Sequence, residues 1–232
     1  MNQQLLRTAM LLGEPAVTSL TGRHVAVFGV GGVGGFCAEA LARAGVGHIT
    51  LVDDDVVSES NLNRQLVALR STIGQPKTQV MARRIADINP DCRVTALTMR
   101  YTEETKEQFF SLDFDYIADC IDSVACKTSL IETAIRRGVP ILSAMGTGNK
   151  LDPSRFVITD LAKTSGCPLA RVMRRELKQR GITHHTVLYS TEPALKPLFQ
   201  PEGGKTVPGS VAWVPSCAGL MMAGHIVRQL IG

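Results

Sequence analysis

The 232-residue sequence is poor in several of the features that usually announce a function. None of its six cysteines (37, 92, 120, 126, 167 and 217) forms a C-x-x-C pair, which removes the zinc clips built on that spacing. Cys37 and Cys120 sit inside apolar runs and read as reduced core thiols, a usage that suits the cytoplasm. The first ten residues, M-N-Q-Q-L-L-R-T-A-M, lack the succession of positive, apolar and small residues that makes a secretory signal. His225 and Arg228 interrupt the apolar run near the C-terminus, so a cytoplasmic protein with no membrane partner is expected. Charge is also scarce as a net quantity: the formal balance is +4, a weak field by itself, so any anionic partner has to be argued from where the cations lie. No internal repeat and no low-complexity segment is present, and at this length a single α/β domain over 1–232 is the default.

What is present is concentrated between Val25 and Asp55. Val25 to Phe28 has the length of a buried parallel strand, Gly29, Gly31, Gly32, Gly34 and Gly35 follow, and an alanine-rich helix runs to Ala44. Glycines at 29, 31 and 34 remove side chains that would keep a phosphate from the backbone N–H groups, and the helix N-terminus adds a partial positive charge at the same spot. The next strand, His48 to Val52, ends in Asp53, Asp54 and Asp55. A carboxylate about 20 residues past such a turn can accept hydrogen bonds from a ribose. These residues specify a nucleotide and leave its identity open.

Further along, a helix opens at Lys77 behind Pro76 and ends before Pro90. A cation in a first helical turn costs roughly 0.3 to 1 kcal/mol, and a bound anion is the simplest compensation. Arg64, on the preceding loop, can serve the same anion; two solvated surface cations are the alternative. A third strand is expected at Val94 to Leu97, a short amphipathic helix at Thr102 to Phe110 and a fourth strand at Tyr116 to Cys120, ending near Asp119 and Asp122. Ligands of open parallel sheets bind beyond the carboxyl ends of the strands, which puts Asp53 and Asp122 on one rim with the glycine turn. Two carboxylates beside a polyphosphate suit Mg2+. Capping of the next helix, Cys126 to Arg137, by Asp122 or Ser123 is the competing explanation. Pro140 to Ala144 completes the series, giving a Rossmann-like, mostly parallel sheet flanked by helices.

From Asn149 onward the rhythm changes. R-F-V-I-T-D-L, H-T-V-L-Y-S-T-E and S-V-A-W-V-P read as strands, so an antiparallel extension is expected over the C-terminal third, 151–232. Between the first two, a helix begins at Pro168 and stops at Gly181, with Arg171, Arg174, Arg175 and Lys178 on one face at i, i+3, i+4, i+7. Such a stripe fits a nucleic-acid backbone, although a solvated face has the same pattern. Residues 193 to 210 show no periodicity, and Lys196 and Lys205 within them can extend the basic surface. The last helix, Ser216 to Ile231, carries Ala-Gly at 218–219 and 223–224, which permits close backbone approach. At the other end, residues 2 to 13 read as a short helix ending at Gly13, with Arg7 lacking any local partner.

Taken in order, G-V-G-G-V-G-G, L-V-D-D-D-V-V, S-N-L-N-R-Q, G-Q-P-K and D-C-I-D-S resemble the adenylating superfamily of ubiquitin-activating enzymes and their bacterial relatives in thiamine and molybdopterin synthesis. The resemblance implies ATP with Mg2+ and attack of a carboxylate on the α-phosphate, giving an acyl-adenylate and pyrophosphate. Carried over by residue, it assigns Gly29, Gly31, Gly32 and Gly34 to the phosphates, Asp53 to the ribose, Arg64 and Lys77 to the polyphosphate, Asn61 to the bound nucleotide, and Asp122 to the metal. Arg7, within R-T-A-M-L-L-G, matches an arginine that reaches the phosphates from the other subunit, which implies a homodimer. V-I-T-D-L-A-K-T, P-L-A-R-V-M-R-R-E-L, Y-S-T-E and V-P-G-S-V-A-W-V-P further resemble the branch that cyclises threonylcarbamoyladenosine beside the tRNA anticodon. That branch implies a tRNA substrate and allows a monovalent cation and a sulfur-transfer partner. Cys167 and Cys217 lie where thioester-forming relatives keep a catalytic cysteine, but neither has an evident activating neighbour. The alternatives are adenylation of a small ubiquitin-like carrier, a nicotinamide-dependent oxidoreductase, which leaves Arg64 and Lys77 without a task, and a non-catalytic nucleotide-binding module.

Overall fold

The computed structural model describes residues 3–201 and 207–232. Lys205, one of the cations expected on the basic surface, lies outside them.

Two short helices precede the sheet, α1 (Leu6–Leu12) and α2 (Glu14–Leu20), where the sequence suggested one. Gly13, with φ of 86°, turns the chain between them, and Pro15 sits in the first turn of α2, where its missing N–H is harmless. The strand–helix–strand unit built around the glycine turn follows: β1 (His24–Phe28), α3 (Gly34–Ala44) and β2 (His48–Val52). Next come α4 (Lys77–Ile88), β3 (Arg93–Leu97), α5 (Lys106–Phe109), β4 (Tyr116–Asp119), α6 (Val124–Arg136) and β5 (Ile141–Ala144). The expected helix at Thr102 to Phe110 is therefore only one turn, because Thr105 Oγ1 takes the Thr102 N–H and ties the preceding segment into a turn.

The C-terminal third supplies β6 (Phe156–Asp160), α7 (Pro168–Gln179), β7 (Thr186–Ser190) and α8 (Trp213–Ile231). Sheet order is β3-β2-β1-β4-β5-β7-β6. Only part of the antiparallel expectation holds: β7 joins β5 in parallel, and β6 alone runs antiparallel, on the far edge. S-V-A-W-V-P is not a strand. Its Trp213 opens α8, Pro215 fits the first helical turn, and the Trp213 indole N–H donates to the Leu151 carbonyl at 2.8 Å. A short apolar run is equally compatible with a strand and a buried helix start, and here tertiary packing selects the helix.

Alternation along β1 divides the core. Val25 and Val27 pack with α3, α4 and α8 on one face, whereas Ala26 and Phe28 pack with α6, α7 and a group of aromatics on the other. Close approach of α8 to α3 depends on Gly219, where a Cβ would stand 2.2 Å from the Val33 carbonyl oxygen. Gly224, the partner in the small-residue pattern, faces open space. All six cysteines are free, and burial pushes the Cys37 thiol up to about 12. No helix among the described residues is long and apolar enough to cross a membrane.

Candidate active site

Strand order reverses between β1 and β4, and a cavity of about 640 Å3 opens at the carboxyl ends of these strands. Its floor is the glycine turn, whose members do two different jobs. A Cβ on Gly34 would lie 1.8 Å from the Gly29 carbonyl oxygen, and one on Gly29, at φ of 89°, would lie 2.7 Å from the Cys120 carbonyl oxygen. These two glycines close the β1–α3 corner against β4; they are needed by the backbone itself. Gly31 and Gly32 line the cavity and have no backbone neighbour that close. Among the described residues no hydrogen bond engages the N–H groups of Gly31, Gly32 or Val33, and these stand just ahead of α3. Unpaired N–H groups at a helix N-terminus form an anion site.

Asp53 is fixed under this turn. Its Oδ2 accepts the Val30 N–H at 2.6 Å and its Oδ1 the Asp55 N–H at 2.8 Å. Burial raises the Asp53 carboxyl above its ordinary value, opposed by these two N–H groups and by the charge of Lys77. Asp53, Asp54 and Asp55 present carboxylate oxygens within 4.8 Å of one another.

Lys77 departs from its expected state. The ammonium, only 5% exposed, meets Asp55 Oδ2 at 2.7 Å. A bridge pairing Val56 with Pro76 and a Lys77 N–H to Asp55 carbonyl bond of 3.0 Å bring the two together across 22 positions of sequence. The cation in the first turn of α4 thus has a protein counter-charge, and no bound anion is needed to account for it. Arg64 follows the short turn Glu59–Asn61, its Nη1 donating to the Ser60 carbonyl at 2.9 Å and to Asn63 Oδ1 at 2.8 Å. Asn61 is buried and accepts the Ser58 N–H at 3.1 Å, which shapes that turn.

Asp122 lines the same cavity and is exposed, with no hydrogen bond or ion pair among the described residues. Ser123 precedes α6 without a side-chain capping bond, so the capping explanation for this pair falls away.

Of the residues singled out from sequence, Gly29, Gly31, Gly32 and Asp53 line this one cavity, as do Asn61, Arg64, Lys77 and Asp122. Gly34 lies behind it, and Arg7, exposed on α1, does not reach it within its own chain. The basic face of α7 is outside as well, although Leu169 in the first turn of that helix lines the wall. Arg171 and Lys178 are exposed, and Arg175 pairs with Glu176 at 3.0 Å. Arg174 is turned inward: its Nη1 donates to the Thr164 carbonyl at 2.9 Å, to the Leu161 carbonyl at 3.4 Å and to Thr164 Oγ1. Equal spacing on a helix does not reveal which cation is drawn into a neighbouring turn.

Sequence reasoning missed Gln65. It lines the cavity beside Gly31, and its buried Oε1 has no partner among the described residues. A buried acceptor left unpaired costs about 1–3 kcal/mol, so this amide is suited to a ligand donor; the signal was its place at the end of S-N-L-N-R-Q. Pro208 and Ser210 were missed too, because the irregular loop carrying them shows no pattern that points at a cavity.

A family model described as "ThiF family" matches residues 3–232. The chain belongs to the ThiF family. Within it, the chain is 46% identical over 243 residues to the tRNA threonylcarbamoyladenosine dehydratase of Bacillus subtilis (strain 168), spanning 100% of this chain and 96% of that one. Among solved structures, the Escherichia coli tRNA N6-threonylcarbamoyladenosine dehydratase in complex with ATP matches with a TM-score of 0.91 at 37% identity, over 99% of this chain and 94% of that one. The same enzyme in complex with AMP matches with a TM-score of 0.91 at 38% identity and the same coverage. Both the mostly parallel α/β sheet and its C-terminal extension are therefore features of this ThiF-family fold.

Proposed function

We propose that this chain is an ATP-dependent tRNA threonylcarbamoyladenosine dehydratase: it adenylates the nucleoside's carboxylate and lets the carbamoyl group displace AMP, closing a ring. The observation that carries the proposal is the convergence of the open N–H groups, Asp53, Arg64, Lys77 and Asp122 on one cavity, in a chain similar over nearly its full length to dehydratases, one of them solved with ATP and with AMP.

Each group has a task that its surroundings permit. The Gly31 and Gly32 N–H groups and the α3 N-terminus receive phosphate oxygens. Asp53, its two oxygens already oriented by backbone donors, faces the ribose. Arg64 and Lys77 stabilise negative charge as a carboxylate oxygen attacks the α-phosphorus and pyrophosphate leaves. Charge in such a transfer develops on phosphate oxygens, so cations and oriented donors suffice and no side-chain nucleophile is required. Asp122, a free carboxylate on the cavity wall, fits a hard divalent cation; Mg2+ there would draw charge away from the phosphates. In the second half-reaction the carbamoyl group attacks the acyl carbon, the acyl–oxygen bond breaks, and AMP departs carrying the former carboxylate oxygen; the carbamoyl proton is released. The net change in the nucleoside is loss of water.

Residues 1–150 act as the nucleotide-binding half and 151–232 as the substrate-binding extension of one domain, with Arg171, Arg175 and Lys178 on the RNA side. A second copy of the chain completes the site with Arg7, and the exposed Leu6, Met10 and Leu11 on the same helix suit a contact between copies. A tRNA-modifying activity of this kind belongs in the cytoplasm.

The test is mass spectrometry of nucleosides from carboxylate-bearing tRNA incubated with the protein, with and without ATP. A loss of one water that occurs only with ATP, accompanied by AMP, is expected; ATP left uncleaved in the presence of that tRNA refutes the reading. Pyrophosphate exchange driven by a small carrier protein alone would instead favour carrier adenylation.

A further inference from the structure

Asp119 and Lys127 are both fully buried, and Lys127 Nζ meets Asp119 Oδ2 at 2.7 Å. Neither lines the cavity. Because both ions lose their hydration, a buried pair of this kind is often replaceable by apolar residues of similar volume at equal or lower free energy, so its presence is weak evidence of a stabilising role.

The pair's connections indicate another role. Asp119 is the last residue of β4, and its second oxygen, Oδ1, accepts the Ile121 N–H at 3.1 Å. One carboxylate thereby fixes the chain as it leaves the sheet, at the residue immediately before Asp122. Cys120, between them, donates its N–H to the Phe28 carbonyl at 2.8 Å, and its own carbonyl is the surface on which Gly29 rests. Lys127 lies in the first turn of α6, the helix that begins two residues after Asp122. A cation there opposes the helix dipole, so Lys127 relies on Asp119 for its counter-charge and is held to it.

We infer that the Asp119–Lys127 pair is a positioning device for the adenylation step: it clamps the Cys120–Ser123 segment between β4 and α6 and so holds Asp122 in register with the glycine turn. The inference rests on the role proposed above for Asp122. A displacement of about 1 Å in a group that acts on the transition state can lower turnover on the order of 10²-fold, while groups that bind the nucleotide elsewhere keep their affinity.

The experiment is a cycle of Asp119→Leu/Lys127→Met, Asp122→Asn and all three changes together, in the full chain. Readouts are the thermal midpoint, KM for ATP and kcat for AMP release with tRNA substrate. The double variant is expected to keep the parent's thermal midpoint or exceed it, to hold KM within about 3-fold, and to lose kcat on the order of 10²-fold. Adding Asp122→Asn to it is expected to cost less than Asp122→Asn costs in the parent, because the group being positioned is already out of register. A folded double variant with parental kcat overturns the inference, and so does a full, additive loss on adding Asp122→Asn. An active Asp122→Asn single variant overturns the role of Asp122 instead, which separates the two failures. Should the double variant not fold, Asp119→Asn, which keeps an acceptor and removes the charge, supplies the same cycle: loss of kcat that overlaps with that of Asp122→Asn supports the pair's role, and additive loss or none refutes it.

Discussion

The two ends of the molecule handle their cations differently. In the N-terminal half Lys77 is buried against Asp55, and Arg64 is braced by a carbonyl and an asparagine. In the C-terminal third Arg171 and Lys178 stand in solvent on α7. A small, highly charged ligand undergoing a bond change calls for charges fixed before it arrives, since any reorganisation would be subtracted from transition-state stabilisation. A long polyanion calls only for a surface of the right sign, and side-chain freedom there costs little. Arg174 shows that the division follows contacts rather than sequence position, because it sits on the solvent-facing stripe and yet binds the turn before α7.

The severest challenge to this division lies at the glycine turn. Gly34→Ala drives a Cβ into the Gly29 carbonyl, backbone against backbone, and is expected to cost more than about 4 kcal/mol, read as loss of the folded baseline in denaturant titration. Gly31→Ala has room and should leave the unfolding midpoint close to that of the parent while weakening ATP binding in calorimetry. Equal effects of the two would refute the separate roles given to these glycines.

Lys77→Ala comes next. Fixed charge at the phosphates is typically worth at least about 10²-fold in rate, so the ATP-dependent water loss should vanish at ordinary enzyme concentrations while circular dichroism stays unchanged. An active variant would take lysine out of the chemistry and leave it as a partner of Asp55 only.

On α7 the expected effects are smaller and of two kinds. Removing Arg171 and Lys178 together should lower tRNA affinity for any sequence and make the slope of log K against log salt shallower, by about 0.7 to 0.9 for each phosphate that is no longer neutralised, with ATP affinity unaffected. Arg174→Ala should leave that slope alone and cost about 1–3 kcal/mol of stability, because acceptors in the Leu161–Thr164 turn lose their donor. Reversal of these two outcomes would mean that Arg174 leaves its turn to reach RNA.

The mildest test is acid. Burial lowers His185 to about 4, and burial together with the neighbouring His24 ring lowers His48 to about 4. A histidine whose folded value is depressed binds its proton preferentially when unfolded, so its contribution is intact above the unfolded value of about 6.5 and drains away as pH falls toward 4. Denaturation midpoints should therefore decline between these limits. His185→Gln, which can keep a bond to Ser143, should flatten that decline in proportion to the C-terminal third's share of it, and His48→Gln should do so for the sheet's other end.

Much of the fold was legible because its signals are local. The runs at 25–28 and 48–52, the glycines between them and the prolines at 76 and 168 fix strands and helix starts by short-range sterics, and the structure places β2 and α4 within the expected bounds. The second N-terminal helix went unread although Glu14 and Pro15 mark its first turn. The failed strand at S-V-A-W-V-P carried a comparable marker in Pro215, which sits in the first turn of α8, but its six apolar and small residues show no period that separates strand from helix.

Pattern along the chain was enough to bring out that a glycine turn, an acidic strand end and two cations occur in an order that names the family, because each of those features is a matter of a few adjacent residues. It took the folded arrangement to establish that Lys77 already has Asp55, that Arg174 faces inward, that Gly29 and Gly34 serve the backbone while Gly31 and Gly32 leave room, and that Asp119 and Lys127 meet under the sheet. The reason is physical: which partner a charge finds, and which face a small residue yields, depend on segments that become neighbours only when the strands align.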